Sequence, residues 1–438
     1  MALSADFDVV IVGGGPAGII ALAYAKMAGL TAVLLEKRDV IGGLWSQLPS
    51  WQDIQNREED WTLGDIPIAG VHQPSILANV QHWAIEFGLA EQILLGTPVL
   101  AARPIDGGWQ IETPERLIRG KALISATGVH SRPIMPSIQR RLPEISEFHS
   151  STFKEPATLE GRNVVVVGGG AFAFDLLDLA IEYGAARVVW VYRSLKWMIP
   201  TRKSKQLTAN LRNVARMEMQ GGSAKQISEA IDGDLRERYR KFGIADLLPD
   251  APFDIEHDQL IPGRWRMITD LASLDRHRDE PVEIDRRLIV LKSGRRIDAD
   301  ILLWGTGYSL DLAYLASIGL DQIKYPDQLA ARCGSMVMSL DAPNLYFMSV
   351  GLEGTGATPW LYAHLARSIV SHVRGMGALS REPVLRLLNY FGVPNFLARL
   401  DPANYPADGW RKEYLSLATE FPDDRPLPIP RLFTAGYP

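Results

Sequence analysis

Cysteine is nearly absent: the 438 residues contain one, Cys333. A single thiol cannot close an intrachain disulfide, form a Cys-x-x-Cys redox couple or supply a multi-cysteine zinc or iron–sulfur site. Such sparing use fits a reduced, cytoplasmic setting. No stretch approaches the roughly 20 consecutive apolar residues a membrane helix needs, because Gly, Pro or a charge interrupts every hydrophobic run. Basic excess is missing as well. With 46 Lys and Arg against 51 Asp and Glu, a net charge of −5, neither nucleic acid nor an anionic membrane is an expected partner. The eight histidines contain no His-Glu-x-x-His, and His364 and His372 are too far apart on one expected helix to share a metal. No basic flank and small-residue cleavage site frame the first apolar run, so no secretory leader is read there.

What is present is an ordinary globular balance, 47% hydrophobic and 22% charged, over a length that predicts two or three domains. Phe7 to Val12 reads as a buried strand, Pro16 to Ala28 as a helix stopped by Gly29, and Thr31 to Leu35 as a strand ending in Glu36. The same βαβ grammar returns at Asn163 to Val167, a helix through Tyr183 stopped by Gly184, and Arg187 to Tyr192 ending in Arg193. A weaker repeat accompanies each unit. Trp109 to Thr113 and Ala122 to Gly128 are echoed by Leu288 to Leu291 and Asp300 to Gly307, as closing strands would be. The reading is an α/β fold of two Rossmann-like dinucleotide-binding domains, the second inserted in the first. Residues 1–155 and 298–375 form the first, and 156–297 the second, with a solvated, charged helical insertion between Lys203 and Asp246. A Pro-rich tail over 376–438 reads as laid over the surface rather than as a third domain, where it could also close the pocket or bridge the subunits of a homodimer.

The chemistry is carried by two glycine loops. Gly13-Gly14-Gly15-Pro16-Ala17-Gly18 sets G-x-G-x-x-G between a strand and a helix, with Glu36-Lys37 after the next strand. Gly13 permits the tight turn, Gly15 lets a pyrophosphate reach backbone amides, Gly18 allows close packing, and Glu36 accepts from ribose hydroxyls. In Gly168-Gly169-Gly170-Ala171-Phe172-Ala173 the third glycine is alanine, and the following strand ends in Arg193-Ser194. An acid repels a 2′-phosphate and an arginine pairs with it, so the first site expects an unphosphorylated adenosine and the second NADPH. Two such sites suit hydride transfer from a nicotinamide to a tightly held flavin.

These motifs, in this order, resemble the class B flavin-dependent monooxygenases: the flavin-containing monooxygenases with their N-hydroxylating and Baeyer–Villiger relatives. The resemblance extends over about the first 370 residues. Beyond the two loops it rests on Gly42-Gly43-Leu44-Trp45, Asp65-Ile66-Pro67, Ala126-Thr127-Gly128 with Pro133 and Pro136, Asp175, Gly305-Thr306-Gly307-Tyr308 and Pro343-Asn344-Leu345-Tyr346-Phe347. It implies that NADPH reduces FAD and that O₂ adds to the flavin as a hydroperoxide, which oxygenates a nitrogen, a sulfur or a carbonyl compound in a dry site. By the same resemblance Gly43, Leu44 and Trp45 lie along the flavin, Val99 reaches the adenine, and Thr127 and Gly128 approach the FAD. Thr358 caps, and Pro359 opens, a helix beside the flavin ring. His149 and Phe153 keep their places in the family's identifying pattern, whereas Pro143 and Ile145 replace its first aromatic and its glycine. Phe153, in place of the Trp of Baeyer–Villiger enzymes, tilts the expectation toward heteroatom oxygenation.

Counting back from Asp65, the family's active-site Asn falls on Gln55, with Asn56 beside it, and either amide could donate to a peroxide oxygen. Trp51, Trp61, Trp83 and Trp360 lie in segments expected near the substrate, although large aromatics more often fill cores. Cys333 reads as a buried small hydrophobe. The expected activity is thus a monooxygenase using FAD, NADPH and O₂ on a small soluble substrate. A flavoprotein reductase without oxygenation and a non-catalytic dinucleotide sensor remain the alternatives.

Overall fold

The computed structural model describes residues 6–54, 61, 66, 68–200, 223–254, 258, 260–271, 273–335, 337–348, 358–375, 379 and 381. The chain forms two compact units, one from Met1–Gln47, Asn56–Arg132 and Ser309–Pro438, the other from Leu48–Gln55 and Pro133–Tyr308.

In the first unit a parallel sheet runs in the order Leu345–Phe347, Leu117–Ser125, Phe7–Val12, Ala32–Leu35, Ile93–Leu94. Val9 to Val12 and Ala32 to Leu35 are all buried, as the near-continuous apolar runs of a sheet covered on both faces require. The crossover between them is the helix Pro16–Met27, buried at every residue from Ala17 to Ala25. Such a helix has no polar side to offer water, and it packs against the helix Thr358–Val373. Gly29, at φ +73°, supplies the left-handed residue that ends it. The hairpin Ala101–Ile105 and Gly108–Glu112 leads into Leu117–Ser125, which returns beside Phe7–Val12. Cys333 is fully buried in a short strand, and burial pushes its thiol up to about 12, so it packs as a small apolar residue.

The second unit repeats the plan with the order Asp275–Arg278, Arg187–Tyr192, Asn163–Val167, Ile301–Trp304, Ser146–His149, each neighbouring pair parallel. Its crossover helix is Ala171–Glu182. The boundaries at 155/156 and 297/298 need correction, because Ser146–His149 and Ile301–Trp304 pair with each other and complete this sheet. Strand pairing across such sequence distances leaves no local pattern to read. In the charged insertion, Ala224–Lys241 forms a helix with a Ser223–Gln226 capping box. It is amphipathic, not solvated all round: Ile227, Ile231, Leu235 and Tyr239 recur every four residues and are buried. Arg236–Asp232 and Arg238–Asp234 pair at 2.6 and 2.7 Å beside this stripe, part-buried, and Asp232 also accepts from Phe253 N.

Among the described residues no helix is long and apolar enough to cross a membrane.

Candidate functional site

In the first unit, backbone presses on the glycine loop. Gly13 has φ +110°, and a Cβ there would stand 2.5 Å from the Ala126 carbonyl oxygen and 3.2 Å from the Thr127 nitrogen. A Cβ at Gly18 would overlap the Gly13 carbonyl, and one at Gly43 would come within 2.8 Å of Gly15 Cα. Gly42 N–H donates to Gly14 O at 2.8 Å, which locks the turn Gly43–Ser46, with Leu44 and Trp45, beside the loop. Trp45 meets Trp61 edge-on at 5.6 Å, and its carbonyl accepts from Gln73 Nε2. Gly15 is the N-cap of a helix that starts at Pro16 and Ala17, and no side chain caps it. Its first N–H groups are therefore available to an anion.

Glu36 is 3% exposed, and both its oxygens engage backbone: Oε2 accepts from Gly14 N at 2.6 Å, Oε1 from Arg38 N at 2.9 Å. The residue that sequence reasoning paired with it, Lys37, is exposed. The cation tied to Glu36 is Arg38, whose guanidinium lies 3.6 Å from Oε1 and also donates to Gln47. A buried carboxylate fastened to the loop fits a dinucleotide whose ribose keeps free hydroxyls and excludes one carrying a 2′-phosphate. Gly128 follows Thr127 with φ +78°, and Val99 packs on the same core as Leu94. Thr358 is the first residue of its helix and Pro359 the second, one position later than the expected cap and first residue. Both positions tolerate proline, because the early N–H groups of a helix have no partner within it.

The second loop has the same backbone plan with its small residues rearranged. Gly168 has φ +141°, and a Cβ there would overlap the Gly305 carbonyl. A Cβ at Gly305 would come within 2.5 Å of Ala173 Cα, so the close approach that Gly18 permits from the helix is permitted here by Gly305 on the strand side. Gly170 caps the helix at Ala171 without a side-chain partner, and Phe172 packs edge-on to Tyr308 at 4.9 Å. Tyr308 also meets His149, whose Nε2 lies 3.0 Å from Gly307 O. A carbonyl can only accept, so the proton sits on Nε2, and Nδ1 accepts from Ser151 N. Burial lowers the His149 pKa, which favours the neutral ring, against the Gly307 carbonyl that favours the charged one. Arg193 stands where Glu36 stands in the first unit, but its side chain is 83% exposed and only 4.0 Å from Glu280. Ser194 beside it is exposed too.

One cluster escaped sequence reasoning. Arg264 grips Asp53 with both Nη atoms and donates from Nε to Asp175 Oδ1 at 2.7 Å, while Gln52 Nε2 donates to Asp175 Oδ2 at 2.7 Å. Burial raises Asp175, and Arg264 pulls it back. Burial would lower Arg264, and Asp175 and Asp53 more than offset it. Asp175 was noticed only as part of a motif, and no local signal joins Asp53 to Arg264 across 211 residues. Trp83 and Trp61 are buried, and Trp51 donates to Phe153 O at 2.6 Å. Gln55 and Asn56 lie outside the described residues, as does nearly all of 376–438. Among the described residues no group of His, Cys, Asp and Glu is placed to hold a metal ion.

Comparison with known proteins matches residues 10–234 to the family model described as pyridine nucleotide-disulphide oxidoreductase. Flavin-containing monooxygenase 5 of Rattus norvegicus is 22% identical over 346 residues, 70% of this chain and 63% of that protein. The chain thus spans under two thirds of that relative's length. The N-oxide-forming dimethylaniline monooxygenase 2 of Oryctolagus cuniculus is 28% identical over 218 residues, 44% of this chain and 41% of its own. Among solved structures, cyclohexanone monooxygenase in its open form matches with a TM-score of 0.69 at 17% identity, over 93% of this chain and 99% of that one. A flavin-containing monooxygenase from Stenotrophomonas maltophilia matches at 0.61 and 17%, over 85% and 99%. These matches establish the fold: two Rossmann-like α/β units of the kind found in flavin monooxygenases.

Proposed function

Because the chain belongs to the pyridine nucleotide-disulphide oxidoreductase family, we propose that it is a monooxygenase that uses FAD, NADPH and O₂ to oxygenate a nitrogen or sulfur atom of a small soluble substrate. The disulfide chemistry of the family's name is not part of this reading, since Cys333 has no second cysteine in the chain. The observation that carries the proposal is the contrast between equivalent positions of the two loops. Glu36, buried and bonded to Gly14, suits FAD in the first unit, and exposed Arg193 suits the 2′-phosphate of NADPH in the second.

Bound FAD and NADPH would supply hydride transfer and oxygen activation. The chain's own residues position and select. The uncapped helix starts at Gly15 and Gly170 would present N–H groups to the two pyrophosphates. Leu44 and Trp45, held against the loop by Gly42, would flank the flavin, and Gln55 or Asn56 would donate an amide hydrogen bond where oxygen reacts. The names of the rat and rabbit relatives support use of O₂ and attack at an amine nitrogen, and the single cysteine supports a cytoplasmic setting.

The test is a coupling assay. NADPH consumption, O₂ uptake, hydrogen peroxide and product are measured together with trimethylamine, thioanisole and cyclohexanone as probes. The reading expects an N-oxide or sulfoxide formed in proportion to NADPH. Peroxide in proportion to NADPH with all three probes would mark a reductase or oxidase, and a lactone would move the chemistry to the carbonyl.

A further inference from the structure

Three charged side chains meet at the carboxyl end of the strand Arg187–Tyr192, and backbone bonds bring them there. Asp279 N–H donates to Tyr192 O at 2.9 Å, which seats Asp279 and Glu280 beside the end of that strand. Lys292 N–H donates in turn to Glu280 O at 2.9 Å, so the residue that follows the strand Leu288–Leu291 arrives at the same end. Arg193 leaves Arg187–Tyr192 directly, and its loop lies against the glycine loop. Lys196 N–H donates to Gly169 O at 3.1 Å, and a Cβ on Gly169 would overlap the Ser194 carbonyl. The side chains then converge on one carboxylate. Lys292 Nζ lies 2.7 Å from Glu280 Oε1 and Arg193 Nη1 lies 4.0 Å from Oε2. These cations, Lys292 foremost, hold the Glu280 carboxyl below its ordinary value. Neighbouring charges are committed elsewhere: Arg278 pairs with Asp250 at 2.6 Å, and Asp279 accepts from the Glu280 and Ser293 amides.

We propose that Lys292 is the second cation of the 2′-phosphate site, with Arg193 the first, and that Glu280 is the carboxylate the phosphate displaces; this deepens, and rests on, the reading of the second unit as the NADPH unit. Arg193 and Lys292 repel each other and are held together by the anion between them. Each takes a different oxygen of Glu280, as two cations sharing a phosphate do. A phosphomonoester carries roughly 1.5 to 2 negative charges and three acceptor oxygens, against one charge and two oxygens on a carboxylate, so it is the stronger claimant for the pair. The exchange is open to solvent. The Lys292 and Arg193 side chains are 70% and 83% exposed, and ion pairs in such a setting hold weakly. Arg193 brings a planar fork and Lys292 a compact point charge, which can share one phosphate without copying each other's geometry.

The experiment is isothermal titration of the FAD-loaded full chain with NADP⁺ and with NAD⁺, which differ only in the 2′-phosphate. Wild type should bind NADP⁺ at least about tenfold tighter. Lys292→Met should raise the Kd for NADP⁺ about fivefold and leave that for NAD⁺ unchanged, which also reports an intact second unit. Glu280→Gln should act in the opposite direction and lower the NADP⁺ Kd about threefold, because the competing anion is gone. An ion pair that only tied two segments together would move both variants the same way. Undiminished NADP⁺ affinity in Lys292→Met, an equal loss for both coenzymes, or NADP⁺ binding that is unchanged or weaker in Glu280→Gln overturns the proposal. A wild type that binds NADP⁺ no tighter than NAD⁺ overturns the NADPH reading beneath it, a distinct result.

Discussion

The two glycine-loop helices begin alike and both bury apolar residues, but only the second carries carboxylates bonded to a neighbouring segment. Counting from the first helical residue, Ile20 in one corresponds to Asp175 in the other, and Ala23 to Asp178. The first helix is apolar from Ala17 to Ala23 and packs against Thr358–Val373, with Lys26 in its last turn donating to the Phe87 and Gly88 carbonyls. The second is pinned by ionic and polar bonds to the segment around Arg264: Asp178 accepts from Met267 N at 2.8 Å and from Arg266, while Asp175 accepts from Arg264. At the ends of the second strands the polarity reverses, with Glu36 buried in the first unit and Arg193 solvated in the second. One lesson is that the backbone grammar for a dinucleotide is independent of how the helix is secured. Another is that the residues proposed to choose the coenzyme differ in setting, Glu36 being built into the first unit and Arg193 lying on the surface of the second.

The largest effect should come from removing the ionic anchor. Arg264→Met leaves Asp175 buried, and Asp53 part-buried, without their cation and should cost about 3–5 kcal/mol in denaturant unfolding; no loss would mean the second helix is held by packing alone. Next is the third position of each loop. Gly18→Ala drives a Cβ into the Gly13 carbonyl and should cost more than about 3 kcal/mol with loss of FAD, whereas Ala173→Gly should cost about 1 kcal/mol, the helix propensity of glycine. Glu36→Ala removes the acceptor for two backbone amides and should cost about 2 kcal/mol and most of the FAD. Arg193→Ala should leave stability within about 0.5 kcal/mol yet raise the Kd for NADPH about tenfold, with NADH unaffected. If Glu36→Ala and Arg193→Ala behave alike, the contrast between built-in and surface selection fails.

The smallest effect concerns acid. Burial holds His149 below its ordinary value of 6.5, so the unfolded chain takes up the proton first. The stability it contributes is complete above 6.5 and is lost as the pH falls below that value. The Tm of His149→Gln should therefore decline less than wild type on acidification through that window.

Much of this architecture was legible in the sequence because it is local. Asn163–Val167 and Arg187–Tyr192 are contiguous apolar runs, and Gly29 and Gly184 stop their helices with positive φ. The Thr-Gly repeat marked closing strands that do pair as Leu117–Ser125 and Ile301–Trp304 with the first strands of their units, although the bound drawn at 297/298 separated Ile301–Trp304 from its sheet. The rest depends on contacts distant in the chain. Nothing near Asp53 announces Arg264, and the carboxylates of Asp175 and Asp178 replace apolar positions, which reads as an irregular helix until their partners are known. The displacement of Ala173 for glycine is explained only by Gly305, which sequence reading treated as part of a different motif.

The most direct test of the central claim, that one unit is committed to FAD and the other reads NADPH, is anaerobic mixing of the purified protein with NADPH or NADH while the flavin's visible absorbance is followed. The account predicts that FAD co-purifies, that NADPH bleaches it, and that NADH does so at least about tenfold more slowly at equal low concentration. Absence of bound flavin, or equal rates with the two coenzymes, would contradict it.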